Sequence, residues 1–224
     1  TNKPYAFLYN LLGLILADQK RINEALVNYE KGLKVDSKFA MIYNNLGLLY
    51  ARNKDLSNNF NLEKAINYYK KSITLNKNIP EPHNNLGTLY SSINKIDEAI
   101  SFYKKAVEIN PKFSIAFHNL GNAFMSLGKF DDAKENFEKA IEISPSLIIA
   151  HRSLSRIIKY TPKTKHLNQL LKFYNDTKIK NMDAKMDLSF SLGKAYEDVK
   201  EYTKSFNFFM EANSIYRKSI SFSL

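Results

Sequence analysis

A glycine recurs at positions 13, 47, 87, 121 and 193 of this 224-residue chain, at intervals of 34, 40, 34 and 72. It carries its neighbours with it: YNNLGLLY at 43–50, HNNLGTLY at 83–90 and FHNLGNAF at 117–124 keep an asparagine, a leucine and the glycine in register. Twelve residues after four of these glycines, and eighteen after Gly47, comes an alanine or serine, then an aromatic four residues on, then a small residue three later. The sets are Ala25, Tyr29, Gly32; Ala65, Tyr69, Ser72; Ala99, Tyr103, Ala106; Ala133, Phe137, Ala140; and Ser205, Phe209, Ala212. Steps of three and four return side chains to one face of a helix. A unit this short cannot bury its own apolar face, so the period demands that successive units stack and share one core.

The punctuation agrees. Asn110-Pro111 and Ser144-Pro145 end two units, with Asp36-Ser37 and Asn76-Lys77 in the same place in two others; proline cannot continue a helix, and it pushes the residue before it out of helical geometry. Acids open the second helix of each unit, Glu24, Glu63, Asp97 with Glu98, and Asp131 with Asp132, where they complement the helix dipole. A 34-residue helix-turn-helix with small and aromatic residues in these slots resembles the tetratricopeptide repeat (TPR). The resemblance implies an all-α right-handed superhelical solenoid of antiparallel helix pairs, with small residues letting the helices of a pair approach and the aromatics filling the gap to the next pair. Residues 1–147 read as four units, the second with six extra residues around Leu56–Asn61; 148–185 as a divergent basic pair with Ser155 where the glycine belongs; and 186–224 as a fifth, TPR-like pair. The slot four before each glycine, tryptophan in the family pattern, holds Tyr9, Tyr43, His83 and Phe117. Because Thr1 follows no signal pattern, a fragment of a longer chain is the expected status.

Leucine and glycine in the phrase are packing residues. Asparagine is a mediocre helix former with no propensity reason to recur, yet Asn45, Asn85 and Asn119 share one slot of successive first helices. In repeats of this kind the first helices line the concave side. Stacked helices lie roughly 8–10 Å apart and an extended peptide advances about 3.3 Å per residue, so one amide could meet every third peptide unit. The row is similar to the asparagine ladder of O-linked N-acetylglucosamine transferase, a resemblance that implies a peptide-binding groove of Asn45, Asn85 and Asn119, extended by Asn122 one turn on. The alternative is that these amides bond to their neighbours and fix repeat stacking.

Net charge is +11, from 28 lysines and five arginines against 22 acids. Lysine, asparagine, isoleucine, phenylalanine and tyrosine all have AT-rich codons, which explains much of the excess without a partner. The excess is uneven, however: residues 148–180 hold eight basic residues against Asp176 alone. Arg152, Arg156, Lys159, Lys163 and Lys165 are therefore candidate anion-binding residues, although interleaved aromatics are few and nucleic acid is not the favoured partner.

Chemistry within the chain finds no support. Cysteine is absent, which excludes disulfides and thiolate chemistry. His83, His118 and His151 fall on packing positions rather than at metal-ligand spacing. Gly193-Lys194 lacks the rest of a phosphate loop, and no HExxH or GxSxG occurs. No catalytic residue, metal or cofactor is expected. The last third, from HRSLSRIIKYTP through LSFSLGKAYEDVKEYTKSFNFFMEANSIYRK, resembles the region that joins TPR units to a sulfotransferase domain in bacterial fusion proteins, including Ala212-Asn213 and the stretch Tyr216–Lys218. This implies the recognition arm of a larger transferase, whose phosphate loop would lie beyond Leu224; a free-standing adaptor is the alternative. A protein or peptide partner, no membrane span and a cytoplasmic location are the remaining expectations; the oligomeric state is not legible.

Overall fold

The glycine in each phrase exists to make room for an aromatic ring. A Cβ on Gly121 would sit 2.6 Å from the Phe137 ring, one on Gly47 2.7 Å from Tyr69, and one on Gly87 or Gly193 2.8 Å from Tyr103 or Phe209. Each ring thus lies flat on the first helix of its own pair. The expectation that the aromatics fill the gap to the next pair also holds, since Tyr29 shares a buried cluster with Ile42 and Leu46, and Tyr69 with Leu86 and Leu89. The alanine four residues before each ring is fully buried at Ala25, Ala65, Ala99 and Ala133, so backbone meets backbone at closest approach.

A computed structural model describes residues 3–52, 59–176 and 181–221. Among these residues all regular structure is helical: α1 (Lys3–Asp18), α2 (Ile22–Val35), α3 (Ala40–Arg52), α4 (Asn59–Leu75), α5 (Pro80–Ser92), α6 (Ile96–Ile109), α7 (Ser114–Ser126), α8 (Phe130–Ile143), α9 (Ile148–Ile157), α10 (Lys165–Tyr174), α11 (Met182–Asp198) and α12 (Tyr202–Ser221). The fold is a solenoid of antiparallel helix pairs, as the period required. The chain divides into two compact units, Thr1–Pro111 and Lys112–Leu224. Of the extra segment proposed at 56–61, residues 56–58 lie outside the described residues and Asn59, Phe60 and Asn61 open α4.

Within the first unit, α1/α2, α3/α4 and α5/α6 are tight pairs. Tyr29, Ile42 and Leu46 belong to one buried cluster and Tyr69, Leu86 and Leu89 to another, so each cluster joins a second helix to the next first helix. Among the described residues, four turns inside pairs share one geometry. Lys20, Asn94, Gly128 and Lys200, each seven residues after a phrase glycine, take left-handed φ of 60°, 61°, 71° and 66°. The next residue's amide reaches back to the helix, as in Arg21 to the Leu16 carbonyl at 2.9 Å and Lys95 to Tyr90 at 2.9 Å. This 6→1 bond satisfies a carbonyl that the helix end leaves open.

In the second unit α7/α8 and α11/α12 are tight pairs, but α9 packs on α8 and α11, and α10 on α11. Ser155 stands in the glycine slot. Tyr160, from the connecting turn, is buried there, its hydroxyl 2.7 Å from Ser155 Oγ. Glu211 ties the end of the unit together, accepting hydrogen bonds from Tyr174 Oη and Ser189 Oγ at 2.7 Å each and from Lys185 Nζ at 2.9 Å.

Candidate functional site

An asparagine facing another helix has two N–H donors and a two-lone-pair acceptor to place. In the first unit five of them form a relay. Asn84 Nδ2 donates to Asn85 Oδ1 at 3.5 Å, Asn85 Nδ2 to Asn44 Oδ1 at 3.0 Å, Asn44 Nδ2 to Asn45 Oδ1 at 3.2 Å, and Asn45 Nδ2 to Asn10 Oδ1 at 2.8 Å. The rule is regular: the asparagine two before a phrase glycine donates to the asparagine three before the preceding one. Asn10, Asn44 and Asn84 were the partners that inspection of one slot missed, and the repeated Asn-Asn doublet was the signal for two of them. The relay knits α1, α3 and α5 along one face.

Burial separates the amides. Asn45 is 5% exposed, whereas Asn85, Asn119 and Asn122 are half-buried. Asn45 nonetheless lines a cleft of about 590 Å³ in the first unit, with Leu14, Ala17, Leu48 and Leu49 as apolar wall and Asp18, Lys20 and Arg52 at its charged edge. Such a size and lining suit an apolar side chain held by a few polar groups. Asn85 uses one donor and one acceptor in the relay, which leaves capacity for a further partner.

In the second unit the first helices carry His118, Asn119, Asn122 and Ser153 along one face of their own. His118 Nε2 lies 3.1 Å from Ser153 Oγ and 3.2 Å from Asn122 Nδ2. A nitrogen facing an amide N–H is the acceptor of that bond, which places the neutral ring's proton on Nδ1. Burial holds both His118 and His83 below the ordinary imidazole range.

Behind this face sits a second polar cluster that the sequence did not reveal. His151 and His166 stack with planes 1° apart, His151 Nδ1 lying 2.8 Å from His166 Nε2. His151 Nε2 donates to the Pro145 carbonyl at 2.9 Å, so His151 Nδ1 accepts from His166 Nε2–H, and His166 Nδ1 accepts from Tyr160 Oη at 2.7 Å. Both rings are neutral in this arrangement. Burial, then the neighbouring His151, lowers His166 to about 3, and burial lowers His151 as well. Among the described residues no group of three or more His, Cys, Asp or Glu could hold a metal. Tyr160→Phe removes the hydroxyl shared by His166 and Ser155, and about 1–3 kcal/mol of stability should go with it in denaturant titration.

The basic residues are not one surface. Arg156, Lys159, Lys163 and Lys165 are exposed. Arg152 is turned inward, its guanidinium 4.8 Å from the Phe190 ring centre and 4.0 Å from Asp187 Oδ1. No helix among the described residues is long and apolar enough to cross a membrane.

Family models of the tetratricopeptide repeat match residues 40–79, 80–113 and 114–147, and a TPR repeat model matches 13–54. Together they span more than half of the chain. The chain belongs to the tetratricopeptide repeat family. Among solved structures, this TPR protein resembles pilF of Pseudomonas aeruginosa at 19% identity, covering 99% of this chain and 96% of that one with a TM-score of 0.73. It also resembles MamA at 22% identity, with 93% and 96% covered and a TM-score of 0.53. YrrB, described as a TPR protein with an unusual peptide-binding site, is similar at 18% identity, with 89% of each chain covered and a TM-score of 0.53. These likenesses extend over the whole TPR fold and show that fold. No curated protein matches the sequence.

Proposed function

We propose that this TPR protein is a protein-interaction module whose asparagine-bearing first helices take extended peptide, with Asn85 in the first unit and Asn119 and Asn122 in the second meeting peptide backbone, and Asn45 forming part of the floor in the first unit. The observation that carries this reading is Asn85: half-buried, anchored by Asn44 Oδ1 at 3.0 Å, and still holding an unused donor and acceptor. An amide positioned by a neighbour pays less entropy on binding than a free one, and backbone contacts of about 0.5–1.5 kcal/mol each give sequence-tolerant affinity that accumulates along the face. YrrB's peptide-binding site supports the same use of the fold.

Because the amides also hold the fold, two variants must be compared. Replacing Asn85, Asn119 and Asn122 together by alanine should weaken binding of unfolded peptides by about tenfold to a hundredfold, while Asn10→Ala should lower stability by about 1–3 kcal/mol and leave affinity alone. Calorimetric titration with denaturation as control reads both. Equal affinity of the folded triple variant and the parent would refute the backbone contacts.

The module serves a larger transferase, on the resemblance of 148–222 to the segment preceding sulfotransferase domains; sulfate transfer to peptides by the full-length protein tests that. A second reading rests on the exposure of Arg156, Lys159, Lys163 and Lys165, which could bind a polyanion without help from the inward-turned Arg152. Its affinity would fall steeply with added salt, and salt-insensitive or absent heparin binding would remove it.

A further inference from the structure

In the second unit the first-helix face carries charge of one sign where α7 and α9 form it. Helix α7 has no lysine, arginine, aspartate or glutamate, and the charged residues of α9 are Arg152 and Arg156. These two lie one turn apart on the same side of the helix. Burial lowers Arg152 below the ordinary guanidinium range and the nearby Arg156 lowers it further, with Asp187 opposing both. Arg152 has its counter-ion in that Asp187, at 4.0 Å, and rests on the Phe190 ring. Asp198, at the far end of α11, is taken by Lys194 Nζ and the Tyr160 amide, with Lys159 near it. Arg156 is exposed and, among the described residues, has no ion pair. The fold thus fixes one arginine and leaves its neighbour's charge unanswered. Next to Arg152 on α9, Ser153 Oγ lies 3.1 Å from His118 Nε2 and 3.5 Å from Asn122 Oδ1, so the arginines stand beside the amides of α7.

Resting on the peptide-binding reading above, we infer that the second unit selects acidic peptide, with Arg156 taking a glutamate or aspartate side chain of the bound segment while Asn119 and Asn122 hold its backbone. A guanidinium fork matches a carboxylate through two parallel hydrogen bonds. Arg152, already held by Phe190 and Asp187, adds to the positive field without having to move. Alternate side chains of an extended peptide point the same way, so a segment with acids two residues apart offers Arg156 a carboxylate in more than one register. A long polyanion would need a continuous row of cations. Arg152 is turned inward and Lys163 and Lys165 lie beyond the turn that follows α9, so a short carboxylate-bearing segment fits this arrangement better.

The test is a pair of peptides, acetylated and amidated so that no terminal charge contributes, and identical except for glutamate against glutamine at alternate positions. Titrated against the chain at low salt, the glutamate peptide should bind about tenfold tighter, and the margin should shrink as added salt screens it. Arg156→Gln should lower affinity for the glutamate peptide about fivefold and leave the glutamine peptide alone. Because Arg156 is exposed and without an ion pair among the described residues, the melting temperature should stay at the parent's. Lys163→Gln removes the same charge from the exposed turn after α9 and should change neither affinity. Equal affinity for the two peptides overturns the inference and leaves the peptide-binding reading standing, whereas no binding of either removes both. A glutamate preference that Arg156→Gln and Lys163→Gln reduce alike also overturns it, because net charge rather than this face would then be the cause.

Discussion

Phe137→Ala is expected to destabilise the second unit by about 3–5 kcal/mol, the range for deleting a fully buried ring whose cavity cannot collapse. Phe137 is 0% exposed and lies on the Gly121 position, where backbone from α7 and α8 already meets. Neither helix can move inward to fill the void, because a Cβ at Gly121 would be only 3.1 Å from the Ala133 carbonyl. With domain stabilities of about 5–15 kcal/mol, the loss leaves the unit marginal, and urea denaturation should show a transition moved to much lower denaturant. The reverse change makes the same point. Gly121→Ala should also destabilise, since its new methyl would lie 2.6 Å from the ring, whereas combining it with Phe137→Leu should cost less than the two changes added. Additive losses would mean that glycine and ring are not a coupled pair.

That glycine-to-ring relation explains how much of the fold could be read. The alanine and the ring recur 12 and 16 residues after Gly13, Gly87 and Gly121, and 18 and 22 after Gly47, because one backbone contact is repeated, so α1–α8 were legible wherever the phrase was intact. Where Ser155 replaced the glycine, the expected pair became two short helices that lean on α8 and α11, because Tyr160 from the turn does what a ring on α10 would have done. Only the turn geometry decides that. The candidate site was half legible. Asn45, Asn85 and Asn119 announced themselves by recurrence, but their partners lie one slot away in the preceding repeat, and which slot faces which depends on the stacking offset of first helices. Recurrence likewise does not show that Asn45 is buried while Asn85 is half-open. Arg152 sat in a basic run and is nonetheless directed at Phe190 and Asp187, a distinction between neighbours four residues apart that charge counting does not make. His166 repeats no motif, and its meeting with His151 depends on the turn between them.

The second large effect is a loss of stability in mild acid. His83, His118, His151 and His166 are all buried and all held below the ordinary imidazole range, with burial the leading cause in each. In the unfolded chain they take up protons near pH 6.5. A depressed folded value means that the unfolded state binds more protons as pH falls. Their contribution is therefore complete above about pH 6.5 and is lost progressively below it, down to about 3 for His166. One histidine that stays neutral costs about 2 kcal/mol between pH 6.5 and pH 5. Burial also pushes the Asp187 carboxyl up, so a histidine variant, rather than the bare slope, assigns this window to the histidines. Denaturation midpoints between pH 7.5 and 5 should fall steadily, and His166→Leu should flatten the slope by close to one proton even though its stability is lower throughout. A pH-independent midpoint across that window would show that the rings accept protons without opening the fold.

The asparagines of the first helices are proposed to hold peptide backbone. The direct measurement is the side-chain amide spectrum of protein labelled at asparagine, titrated with unfolded peptides selected from a random library. Asn85, Asn119 and Asn122 signals are expected to shift and saturate, while amides on the second helices, such as Asn67 and Asn136, stay in place. Saturable binding that moves Asn67 and Asn136 but leaves Asn85, Asn119 and Asn122 unshifted would contradict it, and would confine the asparagine relay to holding the repeats together.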